Sequence, residues 1–529
     1  MNNIDKNFHI NFAPFYAVVA IMMLMFVANK IQAQEIEEVV VIGVQTYESD
    51  SDPSMDVNVL ETIMPAATVS GGYGSFLGYN ERGTQTIHTT IFRNGVPAND
   101  AGSGWYDFGH DFATGNEKVK IVNGPNSVLY GSGSLGGTVF ITDDLKDGSV
   151  IRLGDQTFVS HTSNGINLSY FDVNNDSVRT DNDEKDSYNN ISVKGQQEFG
   201  DWKVNVSGTT YEYDYDNCYT ASFSQTNDCV QSGNKGTLSI RNDNYTFGYT
   251  FNDAEYETQG VQTFKSDAER AYVDTRHQIG NTLVGGTVEY EKYSDFDQNQ
   301  LSVYSLSNFN TFDVGFRLSE DAFVYRIGHE KGNWFSSFGT SYRNPTLYEL
   351  NGDSWTLPNP TLDPEEAIGY EIGYKRLTLF KYKFSEGIDY SFTDSQFVNT
   401  GSYDTKGIRY GKTYQIERLN TTNIGLMLGY TDTDQPRIPK YRVVVSSTTD
   451  LGGYDISFRY TGLFDRKPGP YDGADKLDNV SSLDYKIEKE FPNYLLSFTI
   501  RDILDREFEM TPNYSAGGLE YFLTLQYRP

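Results

Sequence analysis

A long series of short alternating segments is the feature that most constrains what this chain can fold into. Along residues 146–529, apolar and polar side chains alternate in runs of several residues, and Asp, Asn and Gly separate the runs. A period of two is the signature of a β-strand with two different faces. In the last run the apolar phase holds Leu519, Tyr521, Leu523, Leu525 and Tyr527, and the polar phase holds Glu520, Thr524, Gln526 and Arg528. The pattern predicts an antiparallel meander of strands.

The length of this series fits a closed transmembrane β-barrel. Twenty-two strands of about ten residues each need roughly 220 residues, and residues 146–529 supply them with connections to spare. The 39 Tyr and 33 Phe suit the aromatic girdles of such a barrel, although a large secreted β-protein would share this composition. A barrel this wide is an open pore unless something fills it. The Gly-, Asn- and Ser-rich residues 44–145 are the predicted filler.

The N-terminus has the pattern of a secretion signal. A polar start containing Lys6 precedes an apolar stretch at residues 12–28, and the small residue Ala33 follows shortly after. This order predicts a signal peptide of residues 1–33, cleaved after Ala33. A retained membrane anchor is the alternative, because the apolar stretch nearly reaches the length of a spanning helix. No later apolar run is that long, which excludes an ordinary helical membrane protein.

Net charge and cysteine content restrict the kinds of partner and of covalent or metal bonding that the chain can have. The chain has 42 Lys and Arg against 72 Asp and Glu, a net charge of −30, so nucleic acid is disfavoured as a partner. The two cysteines, Cys218 and Cys229, lie close together in a polar segment. An exported chain matures in an oxidising compartment, so we expect them to form a disulfide in an external loop. A metal-binding pair is the alternative, but no histidine or further cysteine lies nearby to complete a site.

Several motifs resemble those of the TonB-dependent receptors of Gram-negative outer membranes. They are residues 94–97 (NGVP), 124–131 (GPNSVLYG) and 136–137 (GG), which resemble the plug of that family, and residues 341–350, 359–365 and 501–508, which resemble its barrel signatures. The resemblance implies an all-β membrane protein in which a plug at residues 44–145 fills an antiparallel barrel at residues 146–529. It also implies a location in the outer membrane.

Residues 34–43 (QEIEEVVVIG) resemble the family's TonB box. The residues expected to contact the partner are Glu37, Glu38, Val39, Val40, Val41 and Ile42. Such a segment pairs as an extra strand with the periplasmic energy-transducing protein TonB, although an ordinary first strand is the alternative. The resemblance implies that a monomer takes up a scarce small ligand across the outer membrane. Iron–siderophore complexes lead by family frequency, followed by cobalamin and other metal chelates.

Two departures from the family pattern are the reason to consider an alternative function. Only about fifteen residues separate the TonB-box segment from Val59, so the plug is shorter than usual for the family. Lys120 and Asn123 stand where the family has a carboxylate and an arginine, which questions the usual ionic contact between plug and barrel wall. A non-energised surface receptor or adhesin that keeps the fold is therefore the alternative function.

By resemblance, ligand contacts come from the plug loops at residues 71–79 and 98–112. The candidates are Tyr73, Phe76, Tyr79, Trp105, Tyr106 and His110. Aromatic rings offer rigid surfaces to large ligands, but the same rings could pack against the inner wall of the barrel. For His88 and His110 a hydrogen-bonded role in the lumen is favoured over a metal site. The acidic residues 181–184 lack the turn glycine of an EF-hand calcium loop, so they are expected to be a solvated loop.

Catalysis and haem binding are both disfavoured. The chain contains neither Gly-x-Ser-x-Gly nor His-Glu-x-x-His, and its six histidines are scattered, so we expect no enzyme and no resident cofactor. Haem receptors of the resembled family place a histidine between the two barrel motifs. Residues 346–358 contain none.

Overall fold

The computed structural model describes residues 42–529, apart from residues 63–67, 70–75, 81, 177–184, 217, 220–224, 417–421, 470–475, 507, 512–513 and 517. The predicted signal peptide, residues 34–41 of the TonB-box segment, Tyr73 and residues 181–184 lie outside the described residues.

β-Strands make up almost all of the regular structure. In chain order they are β1 (Thr46–Asp50), β2 (Thr68–Val69), β3 (Leu77–Gly78), β4 (Thr89–Arg93), β5 (Val96–Pro97), β6 (Glu117–Asn123), β7 (Gly137–Asp143), β8 (Gly148–Gly154), β9 (Gln156–Ser163), β10 (Ile166–Asp176), β11 (Lys185–Phe199), β12 (Trp202–Tyr215), β13 (Cys218–Tyr219), β14 (Gln225–Thr226), β15 (Cys229–Arg241), β16 (Tyr245–Thr258), β17 (Val261–Ile279), β18 (Thr282–Tyr293), β19 (Phe296–Phe309), β20 (Phe312–Ser319), β21 (Phe323–Lys331), β22 (Trp334–Arg343), β23 (Glu365–Tyr374), β24 (Leu377–Ser385), β25 (Ile388–Ser391), β26 (Gln396–Asn399), β27 (Tyr403–Ile416), β28 (Thr422–Thr433), β29 (Pro439–Asp450), β30 (Asp455–Arg466), β31 (Val480–Phe491), β32 (Tyr494–Arg501), β33 (Phe508–Thr511), β34 (Tyr514–Ala516) and β35 (Glu520–Tyr527).

The helices of the described residues are short. They are the 3₁₀ helices Val59–Thr62, Thr86–His88 and Phe108–His110, and the α-helices α1 (Ser127–Tyr130) and α2 (Leu347–Asn351). In the part of the chain that the structure describes, no helix has the length and apolar character needed to cross a membrane.

Twenty-two of the strands form one closed antiparallel barrel, which confirms the predicted fold class. They are β8–β12, β15–β24, β27–β32 and β35. The last strand closes the sheet on the first, with Phe522 of β35 opposite Gly154 of β8 and Tyr527 opposite Ser149. Closure leaves no free sheet edge, which a spanning β-structure requires because lipid cannot hydrogen-bond to the backbone.

The alternation of the sequence becomes the two faces of the barrel wall. In β35 the side chains of Tyr521, Leu523, Leu525 and Tyr527 are exposed, whereas those of Phe522, Thr524 and Gln526 are buried. The same phase runs through β20, where Phe312, Val314, Phe316 and Leu318 are exposed and Asp313 and Arg317 are buried. The exposed apolar stripes are suited to lipid, and the buried polar stripes line the lumen.

The two ends of the barrel differ in their connections. At one end, the turn end, the strands are joined by residues 164–165, 200–201, 242–244, 280–281, 310–311, 332–333, 375–376, 417–421, 451–454 and 492–493. At the other end, the loop end, they are joined by residues 155, 177–184, 216–228, 259–260, 294–295, 320–322, 344–364, 386–402, 434–438, 467–479 and 502–519. Outer-membrane barrels have short periplasmic turns and longer external loops. The loop end is therefore the external one.

Residues 42–143, here called the N-terminal region, fold around a five-stranded sheet in the order β1-β6-β7-β4-β5. Strands β4 and β7 run parallel, and the other neighbours are antiparallel. One hydrophobic core holds the region together, with Val59, Leu60, Tyr79, Ile91, Tyr106, Phe108, Val119, Ile121, Val139 and Ile141.

The N-terminal region lies inside the barrel, because wall strands around the whole circumference bond to it. The contacts include β8 (Arg152 to the Pro53 carbonyl), β11 (Lys194 to Glu117), β16 (Asn252 to Asp100), β20 (Arg317 to the Val128 carbonyl), β23 (Glu371 to Arg82), β27 (Thr405 to the Arg82 carbonyl) and β31 (Lys486 to Asp52). An arrangement beside the barrel would reach only a few neighbouring strands.

The lipid-facing assignment predicts the effect of one charge substitution. Leu523→Arg should destabilise the barrel by about 2–4 kcal/mol, because it places a cation in the apolar part of the bilayer. Leu451→Arg is the matched control, since exposed Leu451 lies in the 451–454 turn, where the loss should be about 0–1 kcal/mol. Urea unfolding in lipid vesicles measures both, and equal losses would contradict the assignment.

The disulfide gives a second test, of topology as well as bonding. Cys218 and Cys229 are joined by an S–S bond of 2.08 Å, with Cα atoms 6.1 Å apart, at the loop end between β12 and β15. On intact cells, a membrane-impermeant maleimide should label neither cysteine before reduction. After treatment with an impermeant reductant it should label both. Labelling without reduction would contradict the bond, and no labelling after reduction would contradict an external location.

Candidate ligand-binding cavity and the N-terminal segment

A cavity of about 340 Å³ lies between the N-terminal region and the wall strands from β10 to β17. Its wall residues include Gln231 and Tyr256, each two residues from the end of its strand at the loop end, so the cavity faces the external side. Four of the six predicted ligand residues line it, namely Phe76, Trp105, Tyr106 and His110.

Two of these residues offer an apolar surface. The side chain of Trp105 is half exposed, and its ring centroid lies 5.0 Å from that of Phe76. A large exposed ring beside a cavity is available to a ligand in a way that a buried ring is not.

Tyr79 has a different place. It is 1% exposed and packs in the hydrophobic core of the N-terminal region, where it contributes to folding rather than to the cavity surface.

His110 is buried and fully engaged. Its ring stacks on that of Tyr211 with centroids 3.6 Å apart, its Nδ1 lies 2.8 Å from the Tyr188 hydroxyl, and its Nε2 lies 3.3 Å from Asp107 Oδ2. His88 is likewise buried, with Nε2 3.0 Å from Glu365 Oε2. Both histidines therefore have the hydrogen-bonded lumen role that the sequence analysis favoured.

The floor of the cavity is a network of paired charges centred on Asp111. Its carboxylate lies 3.3 Å from Lys235 Nζ and 3.4 Å from Arg93 Nη1, and it accepts a hydrogen bond from the Tyr106 hydroxyl. Burial alone would raise the pKa of the Asp111 carboxyl, but Lys235 and Arg93 lower it to about 2. Burial and the nearby Asp111 carboxylate raise the pKa of the Tyr106 hydroxyl well above its usual value. Asp111 is thus ionised at neutral pH, and Tyr106 remains its donor.

The cavity contains residues that the sequence analysis did not single out, above all Lys194, Tyr211 and Lys235 from the wall. The alternation of apolar and polar side chains along the strands contains a signal for these wall residues. Lys194 follows Ile191 and Val193, which are exposed on the lipid face, so its phase points into the lumen. That signal gives the direction of a side chain but not what it meets.

Buried ion pairs join the N-terminal region to the wall. Arg82 and Glu371 form a fully buried pair, and Tyr382 donates a hydrogen bond to the same carboxylate. Glu371 also lies beside Gly124, because a Cβ at Gly124 would stand 2.6 Å from Glu371 Oε1. The ionic contact that the sequence analysis questioned at Lys120 and Asn123 is therefore provided by an arginine from another segment.

The short connection after β1 is fixed to the wall as well. Lys486 Nζ lies 2.8 Å from Asp52 Oδ2, and Arg459 Nη1 lies 3.0 Å from Asp56 Oδ1. Thr499 donates a hydrogen bond of 2.6 Å to the Ser54 carbonyl. The connection after β1 is thus short and is bonded directly to the barrel wall.

Ile42, the last of the residues predicted to contact TonB, is held at the turn end of the lumen. Its N–H donates to Asp313 Oδ2 at 2.8 Å, and its carbonyl accepts from Arg326 Nη2 at 2.7 Å. The backbone approaches the wall closely, since a Cβ at Gly328 would stand 2.1 Å from the Ile42 carbonyl oxygen. Gly43 has φ +80°, and a Cβ there would stand 2.2 Å from the Ser336 carbonyl oxygen, so both contacts depend on glycine.

Comparison with known proteins places this architecture in a family. A family model described as TonB dependent receptor-like, beta-barrel, matches residues 62–502. The fold is similar to that of a ferric enterobactin receptor (PfeA) mutant from Pseudomonas aeruginosa, with a TM-score of 0.69 and 12% identity over 94% of this chain and 99% of that one. It is also similar to the siderophore receptor PirA from Acinetobacter baumannii (TM-score 0.65, 13% identity, 92% of this chain and 100% of that one).

A third similar structure is the ferric-catecholate import receptor Fiu from K12 E. coli, with a TM-score of 0.64 and 11% identity over 94% of this chain and 99% of that one. The family model covers most of the chain, and the fold and the motif order agree with it. The chain belongs to the TonB-dependent receptor-like β-barrel family.

Proposed function

We propose that this protein takes up an iron–siderophore complex across the outer membrane, driven by the periplasmic TonB protein. The ligand binds in the cavity at the loop end. TonB pairs with residues 37–42 at the turn end and pulls on them, and the N-terminal region, which is the plug, rearranges to open a path. The proposal is of a transporter and not of an enzyme.

The observation that carries the proposal is that one packed region reaches both sites. Tyr106 lines the cavity and belongs to the same hydrophobic core as Ile121 of β6. Strand β6 pairs with β1, which begins four residues after Ile42. A displacement of the segment at the turn end is therefore applied to elements that pack directly beneath the cavity.

The filled lumen argues against passive diffusion. The N-terminal region bonds to strands around the circumference, and several of these contacts are buried ion pairs, such as Arg82 with Glu371. Removing one partner of a buried pair costs about 3–5 kcal/mol when the other charge is left buried and uncompensated. Opening a path thus needs an energy input, which a TonB-type partner supplies and a porin lacks.

The similar structures support the choice of ligand class. Their names describe receptors for ferric enterobactin, siderophores and ferric catecholates. A cavity with exposed aromatic surface and several polar groups suits a bulky chelate of that general kind.

Substitution of Val40 tests the energised step. Val40→Pro should abolish uptake of iron-55 siderophore by whole cells and leave binding at the cell surface nearly unchanged. Proline removes a backbone donor and fixes φ, so it interrupts the strand pairing with TonB. Val40→Ala is the matched control and should retain most uptake, because the backbone hydrogen bonds survive.

Two other results would contradict the proposal. If Val40→Pro cells still bind and import the siderophore normally, residues 37–42 are only a structural strand. If wild-type cells bind the ligand but never import it, the protein is a non-energised surface receptor.

A further inference from the structure

The charges around the cavity select among iron complexes. Resting on the proposed uptake function, we infer that the cavity accepts an iron(III) complex of zero or positive net charge, such as a trihydroxamate, and discriminates against triscatecholates. Each catecholate carries two negative charges and each hydroxamate carries one. The iron(III) complex of three catecholates is therefore a trianion, whereas that of three hydroxamates is neutral.

The cations that line the cavity are already neutralised by protein carboxylates. Lys194 pairs with Glu117 and Asp143, and its side chain is 7% exposed. Arg93 is similarly buried and pairs with Asp111 and Asp143. These two cations are nearly buried and already paired with carboxylates, so they offer little to an incoming anion.

Lys235 is the most exposed of the three cations, at 18%, and it too is engaged. Its Nζ lies 3.3 Å from Asp111 Oδ1, donates to the Asp107 carbonyl at 3.1 Å and stands over the Tyr106 ring. The three lining cations are thus matched by Asp111, Asp143 and Glu117.

The cavity has two further carboxylates, Asp100 and Asp107, in addition to the three that pair with the cations. Asp100 accepts hydrogen bonds from neutral donors, the Ser103 backbone N–H at 2.6 Å and the Asn252 amide at 2.8 Å. Asp107 faces His110, and the Asp107 side chain is 25% exposed, more than any of the three cations. The lining itself holds three carboxylates and three cations, but Lys194 and Arg93 are also paired with Glu117 and Asp143 outside the lining. Together, the cavity and these partners carry two more carboxylates than cations.

The approach to the cavity has the same sign. The eleven connections of the loop end contain twenty-three Asp and Glu and five Lys and Arg, whereas those of the turn end contain three of each. The excess acidic charge of the connections is therefore confined to the external end. Such a field raises the local concentration of cations and repels anions, with effects on association rates of about tenfold or more.

Three iron(III) complexes test the inference on the purified full-length receptor in detergent. They are a linear trihydroxamate with a free amine, which is a monocation, the same chelator after N-acetylation, which is neutral, and a triscatecholate trianion. Quenching of tryptophan fluorescence measures binding, because Trp105 borders the cavity. We expect the trianion to bind at least about tenfold more weakly than the neutral complex. Added salt should weaken binding of the monocation and strengthen binding of the trianion.

A pair of variants separates the local field from the total charge. Asp100→Asn keeps the shape of the side chain and should improve trianion binding several-fold relative to binding of the neutral complex. Asp201→Asn is the matched control, because it removes one exposed carboxylate in the 200–201 turn at the opposite end. It should leave all three affinities unchanged.

The outcomes distinguish the charge inference from the proposed uptake function. Preferred binding of the triscatecholate overturns the charge inference and leaves siderophore uptake standing. Equal effects of the two variants also overturn it. Failure of all three complexes to bind overturns the proposed function, and the inference with it.

Discussion

A β-sheet that crosses lipid must satisfy all of its backbone hydrogen bonds internally, and this constraint shapes the whole molecule. Closure requires β35 to pair with β8, and a 22-stranded cylinder closed in this way encloses a wide lumen. Such a lumen is an open pore unless something fills it, and the described part of residues 42–143 lies inside it. The cavity and the site that holds Ile42 both lie between the N-terminal region and the barrel wall.

The polar character of that interface follows from the same alternation that makes the outside apolar. Inward phases hold Arg152, Arg317 and Lys486, and the N-terminal region presents carbonyls and carboxylates to them. Such contacts can be exchanged for water during a rearrangement more readily than a close-packed apolar core can. A polar interface is therefore compatible with a filling that stays in place at rest and yields when it is pulled.

The fold was predictable because its signal is local and repeated. The alternation in β35 and the turn residues between runs specify strands without knowledge of distant contacts. The disulfide partners were identifiable from their spacing and compartment, and the structure joins them. The cavity was only half predictable. Trp105 and Tyr79 are both aromatic residues of predicted ligand loops, yet Trp105 is half exposed and Tyr79 lies in the core.

What the sequence could not provide was the meeting of distant segments. Lys235 reaches Asp111 and Arg82 reaches Glu371 only after the barrel has closed around the N-terminal region. The apolar/polar phase of a strand determines whether a side chain points inward. The rotation and depth of the N-terminal region in the barrel determine what that side chain contacts. The rotation and depth of the N-terminal region in the barrel cannot be inferred from the sequence of one chain.

We propose that movement of the segment at Ile42 and Gly43 away from the wall is required for transport but not for binding. The side chains of Gln45 and Thr378 are hydrogen-bonded at 2.8 Å, next to this segment. A short bis-thiosulfonate cross-linker, which joins two cysteines through reducible disulfides, should therefore hold the segment on β24 when it bridges Gln45→Cys and Thr378→Cys. The most direct measurement is uptake and surface binding of iron-55 siderophore by cells that carry this pair, before and after reduction, with wild-type cells treated identically. The account predicts normal binding, no uptake while the cross-link is intact, and uptake restored by reduction. Undiminished uptake by the cross-linked protein would contradict it.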